Sequence, residues 1–556
     1  MPSYLSQFLQ QFFSMMIVLM GFAPAHGAWP EPNKSAPQGG MITFKLDSEP
    51  ESLHPLSASD SYSAYVQTFV LDSLGFRDPN TYEWVPLLAE KWEISKDNKV
   101  FTFFLRKGVL YHDGKEMTAE DVKFSYEAIF EPKYKAFNLQ PYYEGISKVE
   151  IVDPYTVKIH AKDTYFKNFD AAAGLTIIPK HIYGDVEKSA KMTRTLAGTG
   201  AYVLEKYDRG QKIVLKKFDK WHGKEFPAAK GQANFDRITF RFIKENQIGL
   251  EYLKKGNIDY MEFNTPEDFV QKTKGDPWGK SVLKFNVENN GPQRWRFVGF
   301  NFRKPMFQDK NVRLALYHLF NRELINEKFN FGMSLLATGP WTQKSDYASN
   351  KPKPVLYDPK KAAELLKKAG WTDSDKNGIL DRTVKGVKEE FRFGITHSNK
   401  DLEKYLTIWK EDLKKAGIEA EIRYVEWQSY SKLLDEGKFD TFFLGWGGGS
   451  VEPDPKQIWH SSSAKDGGSN YGAYNNPEVD KLIDKARYEQ NKEARKKMLQ
   501  TVYEKIAEDV PYIFLFNNKY IFYATRDRIG RPGDSFKYGI GSGFDAVSSN
   551  YWWATK

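Results

Sequence analysis

Hydrophobic and polar residues alternate along several short stretches of this chain, which is the spacing of half-buried β-strands. One stretch places Ile42, Phe44 and Leu46 on a single face. The same alternation recurs at 238–242 and at 418–424. The pattern therefore predicts strands spread over the whole chain.

Apolar residues spaced three and four positions apart predict helices between these strands. Residues 118–121 (TAED) form a capping box ahead of such a stripe. Asp358 and Pro359 open another helix as N-cap and first helical residue. Strands mixed with helices throughout predict an α/β fold class.

Length and composition narrow the class of protein. The chain has 556 residues, more than the roughly 250–300 that one hydrophobic core supports, so we expect more than one domain. Hydrophobic residues make up 41% and charged residues 28%, as in soluble globular proteins. Aromatic residues reach 15%, which either fills a large core or lines a cleft.

The charge balance and the absence of cysteine exclude several functions. The net charge of +9 comes from 81 basic and 72 acidic residues without a basic block, so nucleic-acid binding is not predicted. The cysteine count of 0 excludes disulfides, thiolate metal sites, a cysteine nucleophile and a lipidated N-terminal cysteine.

The N-terminal segment resembles a secretory signal peptide. Residues 1–30 contain no Lys, Arg, Asp or Glu, and an apolar run is followed by small residues at Ala23, Ala25 and Ala28. The basic residues that usually begin a signal peptide are missing. An uncleaved membrane anchor and a misassigned initiator methionine are therefore alternatives. The run is shorter than the about 20 residues that span a membrane. We therefore predict a cleaved signal at 1–27 and a soluble periplasmic protein.

Catalytic motifs are absent from the sequence. It holds no G-x-S-x-G, H-E-x-x-H or G-x-G-x-x-G motif, and its 9 histidines lack metal-ligand spacing. We predict no enzymatic activity and no cofactor, with a secreted hydrolase as the alternative outside the binding class.

One acidic segment has the spacing of a calcium loop. Asp373, Asp375, Asn377 and Asp381 follow the first half of an EF-hand pattern, with Gly378 at the bend. The twelfth position is Val384 instead of a bidentate Glu. The alternative is an Asx-rich turn without metal.

An ordered set of motifs resembles the family 5 extracellular solute-binding proteins, the periplasmic dipeptide- and oligopeptide-binding proteins of ABC transporters. The set comprises residues 86–93 (PLLAEKWE), 101–114 (FTFFLRKGVLYHDG), 118–122 (TAEDV), 198–202 (GTGAY, with Ala201 in place of Pro), 255–259 (KGNID), 312–316 (VRLAL) with 321–322 (NR), 357–371 and 445–446 (GW). The motifs follow the family's order over most of the chain.

The resemblance implies a two-lobed periplasmic-binding-protein fold (type II, cluster C-like) with an extra domain inserted in the first lobe. The two lobes are expected to close on a ligand by hinge motion. The expected division is 1–27 signal peptide, 28–70 first lobe, 71–190 extra domain, 191–288 first lobe again, 289–515 second lobe and 516–556 return to the first lobe.

The resemblance also implies a ligand site between the lobes, where an extended peptide adds backbone hydrogen bonds like an extra strand. Glu49 follows the first strand, and Gly447, Gly448 and Gly449 follow Trp446 at the end of a buried strand. Glycines there allow close approach of a ligand to the backbone. Trp446 faces either the ligand or the core. Tyr202, Trp427 and Tyr471 are further aromatic candidates, with a core role as their alternative.

The amino end of the peptide poses a specific question. Peptide binders of the family place an Asp after the Gly-Trp pair, and this chain has Gly449 there. Either Glu49, Glu452 or Asp454 replaces that acid, or recognition of the amino end is relaxed and these acids face solvent. The predicted function is capture of a peptide by a monomer and its delivery to ABC permease subunits. A sugar or a metal complex is the alternative solute.

Overall fold

Strands and helices alternate along the protein. The computed structural model describes residues 30–58, 60–226, 229–263, 265–465, 468–539 and 548–555. The predicted signal peptide at 1–27 lies outside the described residues. The strands are β1 Met41–Leu46, β2 Gly75–Arg77, β3 Trp84–Pro86, β4 Ala89–Ile94, β5 Val100–Leu105, β6 Ile146–Asp153, β7 Thr156–Ala161, β8 Tyr202–Asp208, β9 Lys212–Lys217, β10 Arg237–Phe242, β11 Tyr260–Phe263, β12 Val282–Val287, β13 Trp295–Phe300, β14 Ser334–Leu336, β15 Asp381–Val384, β16 Val387–Glu390, β17 Arg392–His397, β18 Glu419–Tyr424, β19 Thr441–Trp446, β20 Tyr512–Asn518, β21 Ile521–Arg526, β22 Ile529–Gly530 and β23 Trp553–Ala554. The helices are α1 Ser61–Gln67, α2 Ala119–Phe130, α3 Gln140–Tyr143, α4 Asn168–Ala173, α5 Lys180–Tyr183, α6 Val186–Ser189, α7 Asn246–Lys255, α8 Pro266–Gln271, α9 Lys310–His318, α10 Arg322–Lys328, α11 Pro359–Lys368, α12 Glu403–Lys415, α13 Trp427–Asp435, α14 Lys456–Trp459, α15 Pro477–Tyr488 and α16 Lys492–Asp509.

A seven-stranded sheet in the order β12-β21-β11-β1-β10-β9-β8 forms the centre of the first lobe. The predicted strand β1 is confirmed, with Ile42, Phe44 and Leu46 buried on one face. Strand β1 runs parallel to β10 and β11, so the carboxyl ends of these three strands share one edge of the sheet.

A four-stranded sheet, β4-β5-β7-β6, is inserted in the chain between β1 and β8. Helix α2 packs on this inserted sheet through Val122, Tyr126 and Ile129, which are buried. The predicted capping box at its start is confirmed, since the Thr118 N–H donates to Asp121 Oδ2 at 2.9 Å.

A six-stranded sheet in the order β14-β20-β13-β19-β17-β18 forms the centre of the second lobe. Strand β17 runs parallel to β18 and β19, so these carboxyl ends also share an edge. Helix α11 packs beside α9, and the predicted cap is confirmed because Asp358 Oδ1 accepts from the Lys361 N–H at 2.9 Å. The core of this lobe is rich in aromatic rings from β13, β19 and β20.

The chain crosses between the two large sheets twice, at 288–294 from β12 to β13 and at 519–520 from β20 to β21. The α/β class is thereby confirmed, and the residue-level domain boundaries stay a prediction. In the part of the chain that the structure describes, every helix is too short or too polar to cross a membrane.

Candidate functional site

A cavity of about 120 Å³ lies beside the carboxyl end of β19. Its walls come from the crossing segment at 288–294, from residues 340–346, from residues 446–459 and from Tyr538. Because the crossing segment joins the two large sheets, the cavity lies where the lobes meet. Five of the residues that line it are aromatic, and Asp346 and Asp454 are its carboxylates.

Trp446 ends β19 and lines this cavity. Its ring stacks on Tyr471, with the centroids 5.8 Å apart and the planes at 16°. Phe297 lies 6.1 Å away from the Trp446 ring on the core side. The ring is half-buried, so both sequence interpretations apply to it: it packs on the core and it contributes to the cavity wall. Tyr471 supports the ring from behind and does not line the cavity itself.

The three glycines after Trp446 have different environments. A side chain on Gly448 would place its Cβ 2.2 Å from the Pro292 carbonyl oxygen, so only glycine allows this contact with the crossing segment. Gly449 has φ +71°, in the left-handed region that favours glycine. A Cβ on Gly447 would meet no described atom within 4 Å. The loop therefore leaves its backbone open to the cavity.

Glu49 is held within the first lobe. Its carboxylate accepts a hydrogen bond from Tyr207 Oη at 3.0 Å and one from the Gly210 N–H at 3.1 Å. Burial and the bond to Glu49 raise the pKa of Tyr207 to about 12, so the phenol stays protonated and keeps donating. Glu49 is thus engaged with protein groups.

Glu452 and Asp454 are engaged by arginines of the second lobe. Glu452 accepts from Arg495 Nε at 2.9 Å and from Tyr347 Oη at 2.8 Å. Asp454 accepts from Arg487 Nε at 2.9 Å. Each carboxylate already has a full counter-charge. The structure does not favour any of the three predicted acids as a free partner for a ligand amine.

The segment at 163–168 of the inserted domain contacts the second lobe beside the cavity. Tyr165 Oη donates to Asp454 Oδ2 at 2.6 Å, and the Phe166 N–H donates to the Arg487 carbonyl oxygen at 3.0 Å. Lys167 Nζ donates to Ser450 Oγ at 3.0 Å. We call this set of contacts the cross-lobe contact. It ties the loop at the cavity wall to the first lobe.

Two predicted aromatic residues lie away from the cavity. Tyr202 is 2% exposed in the core of the first lobe, and its hydroxyl donates to the Phe235 carbonyl oxygen at 3.0 Å. This placement corrects its assignment as a ligand contact, since a packed and hydrogen-bonded ring has no access to solute. Trp427 is 58% exposed at the start of α13 and does not line the cavity.

Asp346 was missed by the sequence interpretation. It is exposed, lines the cavity, and accepts a hydrogen bond from Tyr538 Oη at 3.3 Å. Within the described ranges it forms no ion pair, unlike Glu452 and Asp454. No local pattern distinguishes this aspartate from other surface acids.

The acidic turn lies in the second lobe, between α11 and β15. Single oxygens of Asp373, Asp375 and Asp381 lie within 4.8 Å of one another. The Lys388 ammonium contacts Asp375 and lies 3.4 Å from Asp381 Oδ2. The Asn377 N–H donates to Asp373 at 3.0 Å, as in an Asx-rich turn. Calcium binding stays a prediction.

Comparison with protein families matches most of the chain to a known family. Residues 83–470 match the model described as "Bacterial extracellular solute-binding proteins, family 5 Middle". The match covers most of the inserted domain, strands β8 to β12 of the first lobe and most of the second lobe.

Characterised relatives differ in the solutes that their names give. The oligopeptide-binding protein AppA of Bacillus subtilis is 29% identical over 567 aligned residues, covering 98% of each chain. Its structure in complex with a nonapeptide has a TM-score of 0.72 and 27% identity, covering 94% of this chain and 100% of that one. The heme-binding protein A of Haemophilus influenzae is 27% identical over 82% of each chain. The structure of NikZ from Campylobacter jejuni with Ni(L-His) has a TM-score of 0.73 and 26% identity, covering 92% of this chain and 99% of that one.

Proposed function

The chain belongs to the bacterial extracellular solute-binding proteins of family 5, and from this membership we propose that it captures a small peptide and delivers it to the permease subunits of an ABC importer. The two lobes and the cavity where they meet suit a protein that encloses a solute. A peptide-binding relative aligns over nearly the whole chain.

The observation that carries the peptide proposal is the open backbone after Trp446. No described atom lies within 4 Å of the position that a Cβ would take at Gly447, and the backbone of Gly449 has φ +71°. Exposed backbone groups can pair with an extended peptide whatever its side chains are. The half-buried Trp446 ring supplies an apolar surface next to them.

A non-peptide solute is the second candidate. One relative of similar identity is named as a heme-binding protein, and the structure of another is a complex with Ni(L-His), so the fold accepts several kinds of solute. The five aromatic residues in the cavity wall are compatible with a flat or apolar ligand as well as with a peptide.

We propose the remaining properties on the same basis. The mature protein is exported to the periplasm after cleavage of its signal peptide, acts as a monomer and has no catalytic activity. N-terminal sequencing of the exported form tests the first point: we expect a start within 24–30, and an intact Met1 would contradict cleavage.

Native mass spectrometry of the purified protein, followed by denaturation, tests the solute class. We expect a co-purifying peptide, and added synthetic peptides should bind without appearance of cleavage products. Hemin and nickel–histidine serve as the competing solutes. Binding of either one with no binding of peptides would overturn the peptide proposal, and peptide fragments would indicate a hydrolase.

We also keep calcium binding at the acidic turn as a proposal. The Lys388 ammonium already contacts Asp375 there, so calcium has to displace it. Calcium should therefore raise the melting temperature of a Lys388→Met variant more than that of the wild type. Unchanged melting of both proteins in calcium would rule the site out.

A further inference from the structure

Two arginines flank Trp295 where the crossing segment enters the second lobe. Arg294 is the last residue before β13, and Arg296 is the second residue of that strand. Side chains two apart on an extended chain point to the same face. The two guanidinium groups therefore share one face of the sheet edge, while Trp295 points to the other face and lines the cavity.

Neither arginine has a hydrogen-bond or ion-pair partner among the described residues, although the charge of Arg294 acts on Tyr62 and that of Arg296 on Tyr405. No described carboxylate forms an ion pair with them, and no described acceptor takes a hydrogen bond from either. Arg313 in the same lobe provides the contrast. Its guanidinium is buried and donates to four backbone carbonyl oxygens, among them Phe307 at 2.7 Å and Val510 at 3.0 Å. Arg313 thus has a hydrogen-bond acceptor for each of its donor nitrogens, whereas Arg294 and Arg296 have none among the described residues.

The surroundings of Arg296 remove its guanidinium partly from water without supplying a carboxylate. Its stem lies over Gly445, where a Cβ would be 3.4 Å from Arg296 Cγ. Phe516 is its neighbour on the adjacent strand β20. Burial lowers the pKa of the Arg296 guanidinium, the Tyr405 phenol partly offsets this, and the Arg294 charge lowers the pKa further. The group is half-buried beside a like charge.

A guanidinium that is partly removed from water next to a like charge raises the free energy of the site. A carboxylate removes that penalty, because its two oxygens match the planar donors of arginine. We propose that Arg294 and Arg296 bind a carboxylate of the captured solute on the face of β13 opposite Trp295, outside the cavity that Trp295 lines. This inference rests on the proposed solute-binding function and names the chemical group that the solute carries.

The carboxylate can come from a peptide C-terminus, from an acidic side chain or from a small carboxylic acid.

The variants that test the inference are Arg294→Gln, Arg296→Gln and the double variant. Arg423→Gln is the matched control, because Arg423 lies on β18 of the same lobe and already donates to Glu421 at 2.8 Å. The probes are citrate, a pool of short synthetic peptides as free acids, the same pool as C-terminal amides, and amidated peptides that contain Glu.

Citrate tests the anion site without any peptide. At matched ionic strength against chloride, citrate should raise the melting temperature of the wild type and of Arg423→Gln, and not that of the double variant. Without citrate, Arg296→Gln should melt no lower than the wild type, since an unpaired charge has been removed. Equal citrate shifts in wild type and double variant, or a clear loss of stability in Arg296→Gln, would overturn the inference.

The peptide pools identify the source of the carboxylate. Free acids should bind at least about tenfold more tightly than amides in the wild type, and the difference should vanish in the double variant. If amidated peptides that contain Glu bind as tightly as the free acids, the arginines bind an acidic side chain of the peptide and not its C-terminus. Equal binding of acids and amides, with and without Glu, overturns the inference and leaves the peptide proposal intact. Failure of all peptides overturns the peptide proposal, and the citrate result then decides the anion site.

Discussion

The Trp446 ring lies between the core of the second lobe and the cavity beside it. One side stacks on Tyr471 at 5.8 Å, and the residue lines the cavity. A ring that anchors a ligand usually contributes more to affinity than neighbouring contacts do. Trp427, at 58% exposure and outside the cavity, offers a matched tryptophan.

Trp446→Ala is expected to weaken solute binding by about 2 kcal/mol or more, and Trp427→Ala should leave affinity unchanged. Calorimetry with the co-purified solute measures both. Thermal melts of the same proteins supply the control for folding. Normal affinity together with a large fall in melting temperature of Trp446→Ala would assign the ring to the core alone.

His54 is a buried histidine that the fold keeps neutral. It is 1% exposed, its Nε2 lies 2.9 Å from Ser189 Oγ, and its Nδ1 accepts from the Leu56 N–H at 3.2 Å. Burial lowers its pKa from 6.5 to about 4. Between these two values the unfolded chain binds a proton that the folded protein does not.

The free energy of unfolding should therefore fall as the pH drops from 6.5 towards 4, by on the order of 2 kcal/mol from this group. Urea unfolding at several pH values measures the slope. His54→Gln should flatten the slope in this window. His160→Gln is the control, because His160 contacts the surface carboxylate of Glu150 at 3.0 Å. An unchanged slope in His54→Gln would show that other groups govern acid stability.

At the scale of elements, the cross-lobe contact joins the turn before α4 to the loop after β19. Tyr165 reaches Asp454 across the cleft, and the Arg487 guanidinium lies 4.3 Å from the Tyr165 ring centre. These contacts exist only when the two lobes are close together. They stabilise the closed arrangement at the cavity wall, which Ser450 and Asp454 line.

Tyr165→Phe should speed dissociation of bound solute about tenfold, because a hydrogen bond to a charged group contributes about 1.5–3 kcal/mol. Stopped-flow dissociation measures this. Tyr155→Phe removes a comparable bond, from Tyr155 Oη to Glu116 at 2.9 Å, on the surface of the inserted domain, and should have no effect. Identical dissociation rates in both variants would argue against a role in closure.

At the scale of the whole molecule, contacts between the lobes occur on more than one side of the crossing segments. Lys404 of α12 pairs with Glu267 of α8 at 2.8 Å, and Lys344 pairs with Glu288 at 2.8 Å. Both pairs are partly exposed, so each contributes little alone. Bound solute is expected to supply most of the free energy that keeps the lobes together.

Small-angle scattering should show a smaller radius of gyration in saturating solute than in its absence, with an unchanged circular dichroism spectrum. Tyr165→Phe should lie closer to the open value at limiting solute. A radius of gyration that does not respond to solute in either protein would contradict hinge closure.

The sequence by itself determined the local elements. The alternation of hydrophobic and polar residues predicted β1, and the capping box predicted the start of α2. Asp358 and Pro359 predicted the start of α11. Each depends on neighbours within a few residues, which the chain order supplies directly. The ordered motifs also identified the family, which the match over 83–470 confirms.

Only the tertiary structure decided which polar groups are free. Glu49, Glu452 and Asp454 resemble available acids in sequence, yet each meets a donor from a distant segment: Tyr207, Arg495 and Arg487. Arg294 and Arg296 resemble ordinary surface charges and have no such partner among the described residues. The availability of a charged group depends on contacts between residues far apart in the chain, and no local pattern contains that information.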